Sequence, residues 1–116
     1  MSEAYDSFQE GRARLRKGMT AQATVSLEKA KRLEPRKASI REALGIAYFR
    51  LRRWEEAEAE FRAVLELSAT DHYAHYALAR TLEKLGRAKE ANGHYKLASS
   101  MQPGNSRYAS RIRELD

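Results

Sequence analysis

Three histidines are the residues of this sequence best suited to hold a metal ion or to move a proton near neutral pH. His72 and His75 are three residues apart, so a helix would place both on one face. Zinc takes four ligands, and beyond His94 the sequence offers no other histidine and no cysteine. We therefore interpret the histidines as solvated or packing residues and predict no metal site.

The densest run of carboxylates lies between Glu55 and Glu60. This run lacks the loop glycine and the alternating spacing of a calcium loop, and it begins a predicted helix whose positive end favours carboxylates. No glycine-rich phosphate loop precedes a Lys-Ser or Lys-Thr pair, and no serine lies in a nucleophile-elbow motif. Without a set of nucleophile, base and orienting group, the sequence predicts a protein that is not an enzyme and uses no cofactor.

The composition indicates one folded, helix-rich domain over residues 1–116. Hydrophobic residues make up 42% of the chain and charged residues 33%, and only two prolines are present. The absence of cysteine fits a reducing compartment. The N-terminus is polar and acidic, and no apolar run approaches the roughly 20 residues that span a bilayer. These features predict a cytoplasmic protein that does not bind a membrane.

The net charge of +6 raises the possibility of an anionic partner. Basic residues cluster in the first third of the chain, whereas the middle is acidic. The alternative is solvated helix faces, stabilised by pairs at four-residue spacing such as Glu58 and Arg62. Because no nucleic-acid-binding motif is present and the basic residues surround both helices of the first unit, nucleic acid is the less favoured partner.

The strongest pattern is self-similarity at a period of 34 residues. Small residues suit the contact between paired helices, whose axes lie about 8–10 Å apart, and glycine suits the turn after a helix. Arg52 replaces glycine in the middle turn, which is expected to differ or to carry mild strain. The columns are Gly11, Gly45 and Ala79; Gly18, Arg52 and Gly86; Ala23, Ala57 and Ala91; Leu27, Phe61 and Tyr95; Ala30, Val64 and Ala98; Leu33, Leu67 and Met101; and Pro35, Ala69 and Pro103.

This pattern resembles the tetratricopeptide repeat (TPR) family over residues 4–105. The middle unit carries the resemblance best, through Leu44, Gly45, Tyr48, Trp54, Ala57, Phe61 and Val64. The resemblance implies an all-α fold in which three helix-turn-helix repeats stack as a right-handed superhelix, an α-solenoid. The repeats are expected at about 4–37, 38–71 and 72–105.

Each repeat is predicted to contain two helices. The first helices are expected at about 3–17, 38–51 and 72–85, and the second helices at about 20–33, 54–67 and 88–101. Asp71 and Asn105 are expected to be N-caps. A last helix at about 106–115 is expected to cap the apolar end of the stack through Tyr108, Ile112 and Leu115, as terminal repeats require.

The first repeat is more polar than the other two. Glu10 and Arg14 stand where the other repeats have leucine or tyrosine. We favour a polar N-terminal cap over an edge that meets a partner. Both ends of so short an array nevertheless leave self-association open as an alternative.

The resemblance also implies a concave face lined by the first helices, which helical spacing maps onto the sequence. The predicted partner-binding residues are Tyr5, Phe8, Arg12, Arg16, Ile46, Phe49, Arg50, Tyr73, Tyr76, Arg80 and Lys84, with Ser39 and Glu42 beside them. Tyrosine and arginine often anchor interfaces, so we expect a peptide or protein partner with acidic and apolar side chains. Phe8 and Phe49 could instead pack between hairpins, whereas Tyr73 and Tyr76 are assigned to the wet edge of the groove.

Family members that bind the acidic tails of heat-shock chaperones use a carboxylate clamp of lysine, asparagine and arginine. The matching positions here are Phe8, Arg12, Ala43, Tyr73 and Ala77. Arg12 alone is cationic, and the alanines cannot donate a hydrogen bond. The sequence therefore predicts an adaptor, scaffold or assembly factor whose ligand is not of the chaperone-tail type. A self-associating structural subunit and a nucleic-acid-associated protein are the alternatives.

Overall fold

The computed structural model describes residues 2–115, and within this range the regular structure is helical throughout. The first six helices lie within one residue of the predicted bounds, and the predicted all-α architecture is confirmed. The helices are α1 (Glu3–Arg16), α2 (Thr20–Leu33), α3 (Ala38–Arg50), α4 (Trp54–Leu67), α5 (His72–Lys84), α6 (Ala88–Met101) and α7 (Ser106–Ala109).

Helices adjacent in sequence pack as three hairpins, α1–α2, α3–α4 and α5–α6. The hairpins stack through contacts of α2 with α3 and of α4 with α5, giving an elongated body of 49 × 24 × 21 Å. Further contacts join α1 to α3 and α3 to α5, so the first helices lie side by side along one face. Among the described residues, no helix has the length and apolar character needed to cross a membrane.

Close approach of the two helices explains the column of small residues. A Cβ atom on Gly45 would lie 2.7 Å from the Phe61 ring, and one on Gly11 would lie 2.6 Å from the Leu27 side chain. Both distances are far inside van der Waals contact, so a larger residue would force the hairpin apart. The predicted reason for glycine at this contact is confirmed.

The three hairpin turns share one backbone conformation, although the middle turn lacks glycine. Gly18, Arg52 and Gly86 have φ angles of 77°, 60° and 78°. In each turn the N–H of the following residue donates to a carbonyl five residues back, at 2.9 Å. Of the two expectations for Arg52, strain is therefore the outcome, because a side chain in the left-handed region costs about 1–2 kcal/mol.

The first hairpin satisfies its polar residues internally. The Arg14 guanidinium lies 2.6 Å from the Glu10 carboxylate, and it donates to the Ser26 hydroxyl at 2.9 Å. These contacts occupy the place of the leucine and tyrosine packing of the other repeats. They agree with a polar cap at the N-terminal end of the stack.

A column of polar pairs recurs inside the hairpins at the same 34-residue period. The middle pair is an ion pair, in which Arg41 donates to the buried Glu60 carboxylate at 3.1 Å while Lys31 contacts it at 2.6 Å. The third pair is His75 and His94, whose Nδ1 atoms lie 3.0 Å apart with the rings stacked. The equivalent positions of the first hairpin hold Ser7 and Ser26, and there the Ser26 hydroxyl accepts from Arg14 at 2.9 Å.

The histidine of α5 contacts the same backbone carbonyl position that the arginine of α3 contacts in the middle hairpin. Arg41 donates to the carbonyl of Pro35 at 2.9 Å, and His75 Nε2 lies 3.0 Å from the equivalent carbonyl, that of Ala69. His75 Nε2 therefore donates to this carbonyl, and the contact between the two Nδ1 atoms requires a proton on one of them. Within residues 2–115, no group of three or more histidine, aspartate or glutamate side chains is placed to hold a metal ion.

The last helix is shorter than predicted. The N-cap prediction is confirmed, since Asn105 accepts the Arg107 N–H at 3.0 Å, but α7 ends at Ala109 and residues 110–115 are irregular. The Asn92 side-chain amide donates to the Arg113 carbonyl and accepts the Arg113 N–H, both at 2.8 Å. These bonds fix a non-helical segment on α6, so the prediction of a helix over 106–115 is wrong. Tyr108 is buried and Ile112 packs on the core, but Leu115 is exposed.

Replacing Arg52 by glycine should raise the free energy of unfolding by about 0.5–1 kcal/mol. The substitution relieves the left-handed strain of the folded state, and this outweighs the greater entropy that glycine gives to the unfolded chain. Urea unfolding would show a higher midpoint with an unchanged slope. Arg52→Ala keeps the strain and should bring no gain. Gly86→Arg is the reverse control, since its side chain would meet open space and introduce only the strain. An equal midpoint for Arg52→Gly and the unmodified protein contradicts this explanation.

Stability should fall as pH drops below about 6.5, because burial and the neighbouring His75 lower the pKa of His94 from its usual 6.5. The unfolded chain then takes up the proton first, so this contribution is complete above pH 6.5 and is lost on acidification. Nearby Arg62 lowers the same pKa and Glu90 raises it. His94→Gln, which keeps a donor without the titration, should flatten the pH dependence of urea unfolding between pH 7.5 and 5.5. His72→Gln, outside the pair, should not.

Candidate functional site

The residues predicted to lie on the concave face line two adjoining cavities along α1, α3 and α5. The cavity between α1 and α3 measures about 600 Å³, and the cavity between α3 and α5 about 260 Å³. Both are lined by Ile46 and Arg50, so they form one continuous groove. The predicted residues that line it are Phe8, Arg12, Arg16, Ile46, Phe49, Arg50, Tyr73, Tyr76 and Arg80, together with Ser39 and Glu42.

Two predicted residues lie outside this groove. Lys84 lines a third cavity beside Arg80, beyond the end of the groove. Tyr5 is 49% exposed and lines none of these cavities. Helical spacing placed both on the face of the first helices, but it could not show where the neighbouring hairpin stops covering that face.

Aromatic rings hold cations of the groove and of the cavity beyond it in place. The Arg80 guanidinium lies 4.9 Å from the centre of the Phe49 ring, and Phe49 meets Trp54 edge-on at 5.0 Å. Lys84 lies 5.7 Å from the Trp54 ring. Such cation–π contacts restrict the side chain before any ligand arrives, while the donors stay free.

The first and second hairpins contribute a similar arrangement. Arg12 lies 5.4 Å from the Phe8 ring, and Arg50 donates to the Leu15 carbonyl at 3.2 Å. Phe8 and Phe49 are half-buried, and each ring packs on the core while also lining the groove. Each phenylalanine therefore packs on the core and lines the groove at once, and its contact with a partner stays a prediction.

The two tyrosines of α5 differ in their surroundings. Tyr73 is half-buried in the groove wall, as expected. Tyr76 forms the floor of the same cavity, but it is only 6% exposed and stacks against Tyr108 at 4.9 Å and Tyr95 at 5.9 Å. The expectation that Tyr76 lies at a wet edge is thus wrong, because the C-terminal α7 brings Tyr108 over its ring.

Glu42 is the carboxylate among the residues that line the groove, and its pKa lies above that of an ordinary glutamate. Burial, followed by the charge of Asp71 and a hydrogen bond to it, raises the pKa of Glu42 to about 7. Asp71 itself accepts the Ala74 N–H at 3.0 Å as the N-cap of α5, which confirms the predicted cap. Near neutral pH, Glu42 therefore keeps much of its proton and adds little negative charge to the groove.

Two contributions to this surface were not foreseen from the sequence. The Glu42–Asp71 pair joins different hairpins, and no local spacing connects the two residues. Arg111 and Arg113 line the third cavity with Arg80 and Lys84. They lie outside the repeated columns, so the 34-residue period carries no signal for them. The groove as a whole offers cations, ring faces and a protonated carboxyl, which suit noncovalent binding of an acidic and apolar segment.

Comparison with known proteins identifies the family of this chain. A family model described as tetratricopeptide repeat matches residues 53–113, slightly more than half of the chain. No curated protein sequence matches.

Several solved structures share the fold. The first TPR of Spaghetti (RPAP3), bound to the HSP90 peptide SRMEEVD, is 20% identical with a TM-score of 0.91, over 96% of this chain and 88% of that chain. MamA is 23% identical with a TM-score of 0.91, over 94% of this chain and 64% of that chain. YrrB, described as a TPR protein with an unusual peptide-binding site, is 19% identical with a TM-score of 0.89, over 95% and 57%. This chain thus spans less than two thirds of MamA and YrrB.

Glu42→Gln should make the protein more stable than the unmodified chain at pH 8, by about 1 kcal/mol once solvent screening is allowed for. A raised pKa means that the contribution of Glu42 is complete below about pH 4.5 and is lost as pH rises through 7. Glutamine can still donate to Asp71 but does not ionise, so the gain should vanish near pH 4. Urea unfolding at both pH values checks this, and Glu66→Gln, exposed on α4, controls for the loss of one negative charge.

Proposed function

Because this chain belongs to the tetratricopeptide repeat family, we propose that it is a non-catalytic module that binds a peptide or partner protein in the groove. In that role it serves as an adaptor, scaffold or assembly factor. The observation that carries the proposal is the continuity of the groove, in which adjoining cavities share Ile46 and Arg50. Family members generally act through protein interactions, and two similar structures are described with a peptide or a peptide-binding site. Its lack of cysteine favours the cytoplasm.

The chemistry of the groove favours a ligand with both acidic and apolar side chains. Ile46, Phe49 and Tyr73 surround the cavity of about 260 Å³, which has room for a bulky apolar side chain. Arg50 and Arg80 line the same cavity, and a guanidinium can bind a carboxylate through two parallel hydrogen bonds. An apolar anchor with carboxylates on either side therefore complements this part of the groove.

A heat-shock chaperone tail is a poor match for the same surface. The positions that would supply side-chain donors include Ala43 and Ala77, which are 9% and 6% exposed and present only methyl groups. A paired carboxylate placed against them would lose its water without gaining hydrogen bonds. The likeness to the RPAP3 domain, at 20% identity, concerns the fold alone. We therefore propose a different acidic partner.

Selection from a library of random peptides tests this proposal. The unmodified protein should enrich sequences that place acidic residues beside a bulky apolar residue. An Arg50→Gln/Tyr73→Ala variant should bind the selected peptide at least about tenfold more weakly, since it loses a charged hydrogen bond and an apolar wall. Arg32→Gln/Arg36→Gln is the control, because both residues are exposed and neither lines the groove.

The same measurements separate the other functions. Equal losses in the groove variant and the control would contradict binding in the groove. Enrichment of no peptide, together with a size in solution that grows with concentration, would favour a self-associating subunit instead. Binding that ignores sequence and collapses with salt would favour nucleic acid. Each variant should first show the cooperative helical melt of the unmodified protein.

A further inference from the structure

A strongly basic cavity lies beyond the end of the groove. It measures about 440 Å³ and is bounded by α5, the start of α6 and the C-terminal segment. We call it the basic pocket; its lining residues are Arg80, Glu83, Lys84, Ala88, Arg111 and Arg113. Arg80 belongs to both the groove and the basic pocket, so a ligand in one can extend into the other.

The C-terminal segment is held in place, which gives the basic pocket a defined wall. The Asn92 amide makes two hydrogen bonds of 2.8 Å to the backbone of Arg113. Ile112 packs on the core between the two arginines. Arg111 and Arg113, separated by that anchored residue, both reach toward Glu83, at 3.7 and 3.5 Å. The arginines are therefore positioned by the fold, although their guanidinium groups remain largely exposed to solvent.

The charges of the basic pocket do not balance internally. Among residues 2–115, four cationic side chains and one carboxylate line it. That carboxylate, Glu83, already accepts a hydrogen bond from the Tyr95 hydroxyl, and its distances to Arg111 and Arg113 are too long for strong hydrogen bonds. Arg80 and Lys84 lie against aromatic rings, which leave their donors free. The basic pocket therefore has a surplus of positive charge and of unused donors.

We propose that the basic pocket binds a phosphorylated serine or threonine of the peptide that occupies the groove. This inference rests on the proposed function, because the phosphate reaches the basic pocket as part of that peptide. A phosphate group carries a charge of about −1.5 to −2 and three strong acceptor oxygens, which converging cations can share. A single carboxylate would occupy one guanidinium and leave the others unsatisfied. Phosphorylation of the partner thereby strengthens its binding.

Inorganic phosphate is titrated into the full chain without any peptide, and NMR of the arginine side chains reports whether it binds in the basic pocket. Phosphate should shift the Arg111 and Arg113 signals with saturation, whereas acetate at matched ionic strength should not. Arg111→Gln/Arg113→Gln should weaken phosphate binding at least about tenfold. Arg107→Gln/Arg36→Gln removes the same charge from exposed positions outside the pocket and should change it less than twofold.

Glu83→Gln should change the affinity for phosphate in the opposite direction. Glutamine can still accept the Tyr95 hydrogen bond, but it removes the negative charge that competes with phosphate, so affinity should rise about threefold or more. Parallel shifts of all arginines, or equal effects of the pocket variant and its control, would mean that only general screening occurs and would overturn the proposal. Lower affinity in Glu83→Gln would overturn it as well.

A peptide selected for the groove then identifies the source of the phosphate. The peptide is extended beyond the end that lies near Arg80, with phosphoserine at a different added position in each version. At least one version should bind at least about fivefold more tightly than its serine form. The pocket variant should lose that gain but keep the affinity for the serine form. If no phosphoserine version binds the unmodified protein more tightly than its serine form, or if the pocket variant keeps the gain, this inference alone is defeated, whereas failure of both forms to bind would defeat the proposed function. Preference for an oligonucleotide over every phosphopeptide would also overturn it.

Discussion

In the first two hairpins, a large side chain of the second helix fills the space that a glycine leaves on the first. Phe61 lies against Gly45 and Leu27 against Gly11, so closely that a single added methyl group would collide. This contact sets the separation of the paired helices. Because the hairpins stack through α2–α3 and α4–α5 contacts, the same separation places α1, α3 and α5 side by side, and the groove lies along them.

On this common scaffold the repeats differ in their polar interior. The middle hairpin buries an ion pair between Arg41 and Glu60, whereas the third uses His75 and His94 at equivalent positions. The Glu60 carboxylate contacts two cations, Arg41 and Lys31, whereas the two facing imidazoles keep their hydrogen bond only while one of them lacks the second proton. Acid therefore disfavours the folded form of the hairpin that carries Tyr73 and Arg80, because the pKa of His94 is lowered there.

In both the groove and the basic pocket, cations lie against aromatic rings. Arg80 lies over Phe49 and Lys84 over Trp54, so their side-chain entropy is partly lost before a ligand binds. Protonation of Glu42 reduces the opposing negative charge inside the groove. Both features favour an anionic ligand, and the C-terminal segment extends the cationic surface beyond the last repeat.

The sequence by itself determined the first six helices, their bounds, the hairpin turns and, with the family resemblance, most residues of the groove, because these depend on local spacing and on a repeated column of residue sizes. Phe8, Arg12, Ile46 and Arg50 could be assigned because the family resemblance implied the face and helical periodicity gave the positions on it. Only the tertiary structure decided the burial of Tyr76, the pairing of Glu42 with Asp71 and the course of residues 110–115. Each of these depends on side chains from different elements, such as Asn92 binding the backbone of Arg113. Contacts of that kind follow no period in the chain, since they form only once the hairpins have stacked.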